Sequence, residues 1–206
     1  MKCPLCKTSL SKPNRKDYFT CNTCGSYVKD KTFYLSLEEE KAFYELHNND
    51  IDDERYQQFT APIWKYVLMN YSTDALGLDF GSGTGPVIAD QLNKKGYKVN
   101  LYDPFFTPDQ SVLSDIHYDY IFSCEVFEHL HHPADVLKKL TGLLKPNGKL
   151  IIMTLLFPEE KEFESWYYIN DPTHVFIYTA KTIEYIAGVF KFKIIEVSPR
   201  FIVLQK

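Results

Sequence analysis

Hydrophobic residues recur along the chain with two different periods, and the change falls near residue 75. Residues 52–71 carry apolar side chains at helical spacing, which predicts a helix with Pro62 inside it; the apolar positions are Phe59, Ile63, Tyr66 and Val67. An earlier helix is predicted over residues 36–47, because Ser36 is followed three residues later by Glu39, the pattern of a capping box. Both helices precede the part of the chain where the pattern changes.

From residue 75 onward, short apolar runs alternate with helical stretches, which is typical of an α/β sheet. The predicted strands lie near residues 75–80, 98–102, 119–124, 149–155, 191–197 and 200–205. The 206 residues, 45% of them hydrophobic and 24% charged, suit one globular domain with a small appendage. The longest apolar run, residues 150–157, is too short to span a bilayer, and no signal-peptide pattern opens the chain. We therefore expect a cytoplasmic protein with no membrane partner.

Charge is distributed unevenly between the two ends of the chain. Residues 1–31 hold seven Lys or Arg, Arg15 among them, against two Asp, so this segment is +5 while the whole chain is −4. The overall charge argues against a DNA partner. The basic segment, with its aromatic residues Tyr18, Phe19 and Tyr27, still leaves RNA as a possible partner. The oligomeric state is not indicated.

The basic segment contains two Cys-x-x-Cys pairs separated by 14 residues, formed by Cys3, Cys6, Cys21 and Cys24. Four thiolates in two short pairs fit a tetrahedral zinc ion, and four thiolate ligands close its coordination shell. Two disulfides are the weaker interpretation in a reducing compartment, and so is a redox pair. The segment resembles a zinc ribbon, with Lys7 and Gly25 at the tight turns after each pair. We predict a zinc ribbon over residues 1–31 and a second domain over residues 32–206, with a helical lead-in (32–72) and a core (73–206).

A glycine-rich loop follows the first predicted strand of the core. Asp79 ends the strand, and Gly81, Gly83 and Gly85 alternate through the sequence FGSGTGP before a helix begins near Pro86. Glycine lets the backbone turn sharply and approach a ligand closely. The spacing differs from the G-x-G-x-x-G pattern of dinucleotide sites. The next strand ends in Asp103, where a carboxylate can accept hydrogen bonds from ribose hydroxyls.

These segments, LDFGSGTG, LYDP and residues 118–154, resemble class I S-adenosylmethionine-dependent methyltransferases over about residues 52–206. The resemblance implies that S-adenosylmethionine is the cofactor and that Asp103 holds its ribose. It also implies that the methionyl end is held by Asp79, Gly81, Ser82, Gly83 and Gly85. Pro104 and Glu125, at neighbouring strand ends, complete the predicted cofactor-binding set.

The family fold is a Rossmann-like, seven-stranded, mostly parallel sheet whose last strand is antiparallel. Only 15 residues separate Asp103 from Asp119, so the family's third strand must be abbreviated here, and we place it at residues 110–113. For the same reason the adenine contacts are not assigned. Ser114 and Asp115 are candidates, and Phe105 is an alternative that would stack on the base.

The sequence CEVFEHLHH, residues 124–132, lies at the end of a predicted buried strand. We predict that Glu125, Glu128, His129 and His132 share one helical face, with Val126, Phe127 and Leu130 toward the core. Cys124 is predicted to be a small buried thiol, and His131 and His132 exposed turn residues. For Glu125, Glu128 and His129 three roles stay open: shaping the pocket, acid–base catalysis, and binding a divalent cation together with His174. The cation follows from a resemblance of E-x-x-E-H to metal-dependent small-RNA 2′-O-methyltransferases.

Residues 157–179 form a long aromatic segment predicted to cover the carboxyl edge of the sheet. Trp166, Tyr167, Tyr168, Phe176 and Tyr178 are candidates for an acceptor pocket; the alternative is a lid packed on its own aromatic rings. The segment W-Y-x-x-x-D-P-T-H-V resembles a bacterial subgroup of uncharacterised methyltransferases and, more distantly, ubiquinone-pathway O-methyltransferases. We predict His174 as a general base. Asp171 either orients His174 or caps a turn before Pro172.

The predicted function is O-methylation of a small aromatic, quinol-like or sugar acceptor, because the body is acidic and the lid aromatic. One alternative is an RNA methyltransferase whose basic ribbon grips RNA. Another, of a different class, is a non-catalytic zinc-ribbon binding module.

Overall fold

The computed structural model describes residues 1–13, 16–46, 49–158 and 162–206. A hairpin of strands β1 (Tyr18–Thr20) and β2 (Tyr27–Lys29) comes first and is followed by helices α1 (Leu37–Glu45) and α2 (Glu54–Asn70). The remaining elements are β3 (Leu76–Phe80), α3 (Val87–Asn93), β4 (Lys98–Tyr102), β5 (Tyr118–Cys124), α4 (Pro133–Leu143), β6 (Leu144–Met153), β7 (Phe176–Ile177), α5 (Ala180–Phe190), β8 (Lys193–Val197) and β9 (Phe201–Gln205). All six predicted strands of the core are present.

The main sheet has the strand order β4-β3-β5-β6-β9-β8. The pairs β3–β4, β3–β5 and β5–β6 are parallel, and β9 is antiparallel to both of its neighbours. The predicted fold class, a mostly parallel α/β sheet with an antiparallel final strand, is confirmed. Ligands of such sheets bind outside the carboxyl ends of the strands, beyond Phe80, Tyr102 and Cys124 in this chain.

The predicted number of strands in the main sheet is corrected from seven to six among the described residues. The segment placed as the third strand, Gln110–Leu113, is a 3₁₀ helix, so β4 forms the edge of the sheet. The physical reason is length: a parallel strand needs a crossover of a dozen or more residues, and the whole connection between β4 and β5 is too short to hold both a strand and a crossover helix.

Alternate residues of the strands face two separate hydrophobic layers, as the period of two requires. Ile121, Leu150 and Ile152 pack in the layer that contains α4 and α5, whereas Phe122 and Ile151 pack in the layer that contains α2 and α3. The sheet is therefore covered on both faces, which explains why its central strands are apolar throughout.

The predicted helical lead-in is present. Ser36 and Glu39 form the predicted capping box of α1; the predicted end of this helix, His47, lies outside the described residues. Pro62 lies inside α2, and Ile63, Tyr66 and Val67 are buried. Phe59, the fourth apolar position used to predict this helix, is 39% exposed. No helix in the described part of the chain is long and apolar enough to cross a membrane.

The ribbon and the body share a sheet. β2 pairs with β1 on one side and with β7, a strand of the body, on the other, both antiparallel. Cys3, Cys21 and Cys24 lie in the same hydrophobic cluster as Val175 and Phe176 of the body. The predicted boundary at residue 31 stays a prediction; residue 31 begins an exposed 3₁₀ turn, Lys31–Phe33.

Candidate active site

The loop between β3 and α3 has the backbone geometry that its glycines allow. Gly81 (φ +85°) and Gly83 (φ +61°) lie in the left-handed region. A Cβ on Gly85 would lie 1.7 Å from the main-chain oxygen of Asn49, so the segment before α2 packs directly on this loop. Sequence analysis missed Asn49, because nothing in its own segment marks a contact with a loop more than 30 residues away.

Asp103 ties this loop to the end of β4. Its Oδ2 accepts a hydrogen bond from the Gly83 amide (3.0 Å), and its Oδ1 accepts from the amides of Phe105 (2.9 Å) and Phe106 (3.1 Å). The carboxylate is only 7% exposed and lies on the wall of a cavity. Asp103, which was predicted to bind the ribose, therefore also fixes the shape of the glycine loop.

Asp79 lies beneath this loop and is 4% exposed. Burial raises the pKa of its carboxyl to about 8, and the negative charge of Asp103 adds to the shift. Nearby, the buried Ser82 hydroxyl has no hydrogen-bond partner among the described residues. A buried carboxyl with a raised pKa and an unpaired hydroxyl beside a cavity fit a polar, positively charged ligand.

A cavity of about 660 Å³ opens between the glycine loop and the aromatic lid. Twelve predicted site residues line it: Gly81, Ser82, Gly83, Asp103, Pro104, Glu125, Glu128, His129, Tyr167, Tyr168, Asp171 and His174. The alternative adenine contact Phe105 also lines the cavity, whereas Ser114 and Asp115 are exposed and lie outside it. Asp79 and Gly85 support the loop without lining the cavity.

Sequence analysis missed a group of cavity residues contributed by the helical lead-in and by the turn between β8 and β9. They are Glu40, Tyr44, Asn49, Tyr56, Phe59 and Arg200. The half-exposed position of Phe59 is explained by this location, since its ring lies 5.4 Å from the Arg200 guanidinium carbon. A single arginine in a turn near the end of the chain, such as Arg200, is not marked by any sequence motif as a cavity residue.

Glu125 adopts an unusual backbone conformation directly after β5, with φ +51°. Its Oε2 accepts a hydrogen bond from Arg200 Nη1 at 2.7 Å, and its buried Oε1 has no partner among the described residues. Burial raises the pKa of Glu125 well above its usual range, the charge of Glu128 adds to this, and Arg200 opposes it. Such local strain with an unpaired oxygen is typical of functional positions.

Glu128 is fully buried, which corrects the predicted helical face. Phe127–His129 is a single 3₁₀ turn and the next helix begins only at Pro133, so Glu125 and Glu128 do not share a helical face, although the Tyr168 hydroxyl contacts both carboxylates. Glu128 Oε2 accepts from the Thr154 hydroxyl (2.8 Å) and Oε1 from the Tyr168 hydroxyl. The helical interpretation failed because the strand continues to Cys124 and Pro133 starts a new helix, which leaves room for one turn between them.

The other residues of the stretch 124–132 agree only partly with the prediction. Cys124 lines the cavity and is half-buried, and burial raises the pKa of its thiol. His132 is exposed, as predicted. His131 was wrongly predicted to be exposed: it is half-buried, and its ring lies 4.7 Å from that of Tyr34.

Two histidines lie side by side in the cavity, with ring centroids 4.8 Å apart. His129 Nδ1 donates to the main-chain oxygen of Thr173 (3.1 Å), and His174 Nδ1 donates to that of Tyr168 (2.6 Å). Because a carbonyl only accepts, both rings carry their proton on Nδ1 and keep a lone pair on Nε2. Burial is the main cause that lowers the pKa of His174.

One ligand atom from each of Glu128, His129 and His174 lies within 4.8 Å of the others, so these three residues are brought together as predicted. Glu125, the fourth residue of the predicted cation site, is not part of this group and pairs with Arg200 instead. Of the two roles predicted for Asp171, the turn is present, since its Oδ1 accepts from the Thr173 amide (2.9 Å). Its Oδ2 lies 3.8 Å from His174 Nε2, beyond hydrogen-bond distance, so its orienting role stays a prediction.

The aromatic lid divides into a part that faces the cavity and a part that packs on itself. Tyr167 and Tyr168 line the cavity. Trp166 was wrongly predicted to do so: it is 3% exposed and packs on Phe157, at a ring distance of 5.3 Å. Phe176 and Tyr178 are likewise buried in the core. Residues 159–161 of the predicted acceptor segment lie outside the described residues.

The four N-terminal thiols lie within 4.8 Å of one another, with Sγ–Sγ distances of 3.7 Å for Cys3–Cys24 and 3.3 Å for Cys6–Cys21. A tetrahedral ZnS₄ centre with bonds near 2.3 Å has sulfur–sulfur distances of about 3.8 Å. The amides of Lys7 (φ +63°) and Gly25 (φ +76°) donate to the carbonyls of Cys3 and Cys21. The cluster therefore has the turns and the spacing that suit zinc.

Residues 49–197 match the model of a family described as a methyltransferase domain. The chain belongs to this family. The match confirms the methyltransferase domain that the motifs led us to expect. A search of the curated proteins gives no significant match.

Solved structures of methyltransferases share the fold of this methyltransferase. Human N-acetylserotonin methyltransferase in complex with S-adenosylmethionine superposes with a TM-score of 0.56 at 13% identity, over 83% of this chain and 56% of that one. Haemonchus contortus phosphoethanolamine N-methyltransferase 2 gives 0.56 and 20%, over 82% and 45%. An O-methyltransferase family protein from Burkholderia thailandensis gives 0.55 and 13%, over 82% and 62%. The chain thus spans less than two thirds of each of these proteins.

Proposed function

We propose that this methyltransferase transfers a methyl group from S-adenosylmethionine to a hydroxyl oxygen of a small acceptor, with His174 as the general base. The observation that carries the proposal is the state of the His174 ring. Its Nδ1 proton is held by the Tyr168 carbonyl, it is 6% exposed, and it lines the same cavity as the glycine loop. Because burial keeps its pKa below the usual value, the ring is neutral and basic at Nε2 at neutral pH.

The cofactor half of the cavity fits S-adenosylmethionine in the way the motifs suggest. Asp103 lies where ribose hydroxyls would be accepted, and Ser82 and the glycine loop offer polar groups without side-chain bulk. When bound, S-adenosylmethionine supplies an electrophilic methyl group on a sulfonium centre. The residues of this chain then have two tasks: they orient the acceptor hydroxyl, and they receive its proton.

His174 is the group that would receive the proton of the acceptor hydroxyl. As the acceptor oxygen forms its bond to the methyl carbon, the sulfur–carbon bond breaks with its electron pair left on sulfur, and the hydroxyl proton passes to Nε2. Asp171, 3.8 Å from Nε2, is placed to stabilise the imidazolium that results. Base assistance of this kind contributes about 10²–10⁴-fold to the rate.

A small acceptor is favoured over a polymer by the shape and charge of the cavity. Phe59, Tyr167 and Tyr168 surround the acceptor end, and Arg200 is held between two of these rings, 5.4 Å from that of Phe59 and 5.9 Å from that of Tyr168. Two neighbours of the same fold carry O-methyltransferase in their names, a Burkholderia thailandensis family protein and the mitomycin 7-O-methyltransferase. An aromatic, quinol-like or sugar hydroxyl fits such surroundings.

The alternative of an RNA substrate receives less support. Tyr18 and Phe19, two of the three aromatic residues of the basic segment that left RNA open, are buried, and the ammonium of Lys29 donates to main-chain carbonyls of the body. The deciding assay incubates the protein with methyl-tritiated S-adenosylmethionine and a dialysed extract, beside a pool of small metabolites. Label in the low-mass filtrate supports the proposal, and label that RNase releases from the precipitate refutes it.

His174→Gln tests the base. Glutamine keeps a polar side chain of similar length but removes the basic nitrogen, so turnover should fall about 10²–10⁴-fold with S-adenosylmethionine affinity within twofold of wild type. The matched control is His132→Gln, an exposed histidine outside the cavity. Loss of cofactor affinity in His174→Gln, or full turnover, would reject the assignment.

A divalent cation at Glu128, His129 and His174 is a second candidate mechanism for the same site. It is favoured by their proximity and by the carbonyls that hold both Nδ1 protons, the arrangement usual for metal-bound histidines. A cation there would acidify the acceptor hydroxyl. Zinc or manganese content decides: two ions per chain in the wild type and one in His129→Ala would establish it, and one ion in both would exclude it. The first ion is the structural zinc that we assign to Cys3, Cys6, Cys21 and Cys24.

A further inference from the structure

The ribbon reaches the acceptor side of the cavity through one buried lysine. Lys29, the last residue of β2, is 5% exposed, and its ammonium donates to the main-chain oxygens of Pro172 (2.8 Å) and Asp171 (3.3 Å). Its amide donates to the Val175 oxygen at 2.9 Å. A lysine is almost never buried unless its charge is used. Here all of its described contacts with the body converge on residues 171–175.

A second ribbon side chain fixes the same segment from the other strand. The Tyr18 hydroxyl donates to the main-chain oxygen of His174 at 2.7 Å, and the Tyr18 ring is 1% exposed. The Lys29 ammonium lies 5.7 Å from the centre of that ring. Burial raises the pKa of Tyr18, so its hydroxyl stays protonated and able to donate. The ribbon therefore fixes the carbonyl of the very residue proposed as the base.

Pairing of β2 with β7 continues this attachment beyond His174. Val28 lies opposite Phe176 and Tyr27 opposite Ile177. On the cavity side, the same segment holds His129 through the Thr173 carbonyl and carries His174 itself. The short stretch 171–175 thus has the ribbon on one side and the two histidines on the other.

We infer that the ribbon is a structural part of the acceptor half of the active site, and that Lys29 and Tyr18 are positioning residues for the segment that carries His174. This inference rests on the proposed role of His174. Zinc, when bound by the four thiols, would fix the hairpin that presents Lys29 and Tyr18. The basic charge of Lys29, which sequence analysis counted toward an RNA surface, is used inside the molecule.

Lys29→Met tests the inference, because methionine keeps the apolar length and removes the ammonium. The control is Lys181→Met: Lys181 also bridges the two parts of the chain, donating to the Asn22 carbonyl at 2.9 Å, but lies on α5 outside the cavity. Tyr18→Phe removes the other donor alone. Lys29→Arg restores a cation that can donate to two carbonyls.

Two readouts are needed. In hydrogen–deuterium exchange, Lys29→Met should speed exchange of the amides of residues 173–177 by at least tenfold, with zinc content and S-adenosylmethionine affinity unchanged. Methyl transfer into the low-mass fraction should fall roughly 10- to 100-fold, since small displacements of a catalytic group have effects of this size. Lys181→Met should change neither, and Lys29→Arg should recover most of the lost rate.

The outcomes separate this inference from the proposed function. Wild-type exchange and turnover in both Lys29→Met and Tyr18→Phe would overturn it, and so would a rate loss matched by an equal loss of cofactor affinity. Full turnover in His174→Gln would reject the base, whereas the exchange result for residues 173–177 would still show whether the ribbon holds the segment.

Discussion

Asp79→Asn should stabilise the unliganded protein while it removes part of the cofactor site. The carboxyl has a pKa of about 8 in the folded protein and of about 3.8 in the unfolded chain. The folded state therefore binds a proton that the unfolded state releases between these two values, and wild-type stability falls as the pH rises through this window. At 1.36 kcal/mol per pKa unit, the ionised carboxylate costs the folded state about 6 kcal/mol at pH values well above 8.

Urea unfolding of both proteins without ligand, from pH 4 to pH 9, measures this cost. The advantage of Asp79→Asn in unfolding free energy should be small at pH 4, grow by about 1.4 kcal/mol per pH unit, and level off above pH 8. Asp74→Asn, an exposed change just before the same strand, should show no such slope. An advantage that is independent of pH, or a less stable Asp79→Asn at pH 8, would refute the electrostatic reasoning.

Three further measurements address the cofactor site. Gly85→Ala should abolish S-adenosylmethionine binding, because its Cβ would lie 1.7 Å from the Asn49 main-chain oxygen; titration calorimetry measures the binding. Gly188 lies inside α5 with open space around it, so Gly188→Ala should raise the unfolding free energy by about 0.5–1 kcal/mol, as measured by urea unfolding. Asp103→Ala should weaken cofactor affinity at least tenfold by titration calorimetry, and unchanged affinity would remove its ribose role. The Asp79 carboxyl, with a pKa of about 8, is mostly protonated at pH 7, and a bound sulfonium cation should favour its ionised form. Binding of S-adenosylmethionine should therefore release protons, measured by calorimetry in buffers of different ionisation enthalpy. S-adenosylhomocysteine, whose thioether sulfur is uncharged, should release fewer, and equal release would contradict this link to the charge on sulfur.

The parts of the fold that were predictable are those where local pattern and long-range packing agree. The strand Leu76–Phe80 was placed within a residue, because it is an interior strand of the sheet and is almost entirely buried. Lys98–Tyr102 was placed as closely although it is a half-exposed edge strand, since the turn residues Gly96 and Pro104 lie close to its two ends. The predicted third strand was wrong, since a family average was imposed on a connection too short for it.

Errors in the site have a common cause: they involve residues whose role depends on neighbours distant in sequence. Glu128 was placed on one helical face with Glu125, but its carboxylate is fully buried and is stabilised by the hydroxyls of Thr154 and Tyr168, which donate to it from distant parts of the chain. Arg200 was missed for the same reason, since only the fold brings it to Glu125. The chemistry-bearing motifs were predictable, and their partners were not.

The charges around the cavity explain why these partners matter. Asp79 and Glu125 both have raised pKa values, Glu128 is fully buried between two hydroxyl donors, and Arg200 is the one Lys or Arg side chain among the described residues that line the cavity. A site with this excess of acidic groups is unfavourable when empty and ionised, because desolvated carboxylates repel one another. A bound sulfonium cation relieves that cost, and its conversion to a neutral thioether restores it. The same electrostatic arrangement would therefore favour binding of the methyl donor and release of the demethylated product.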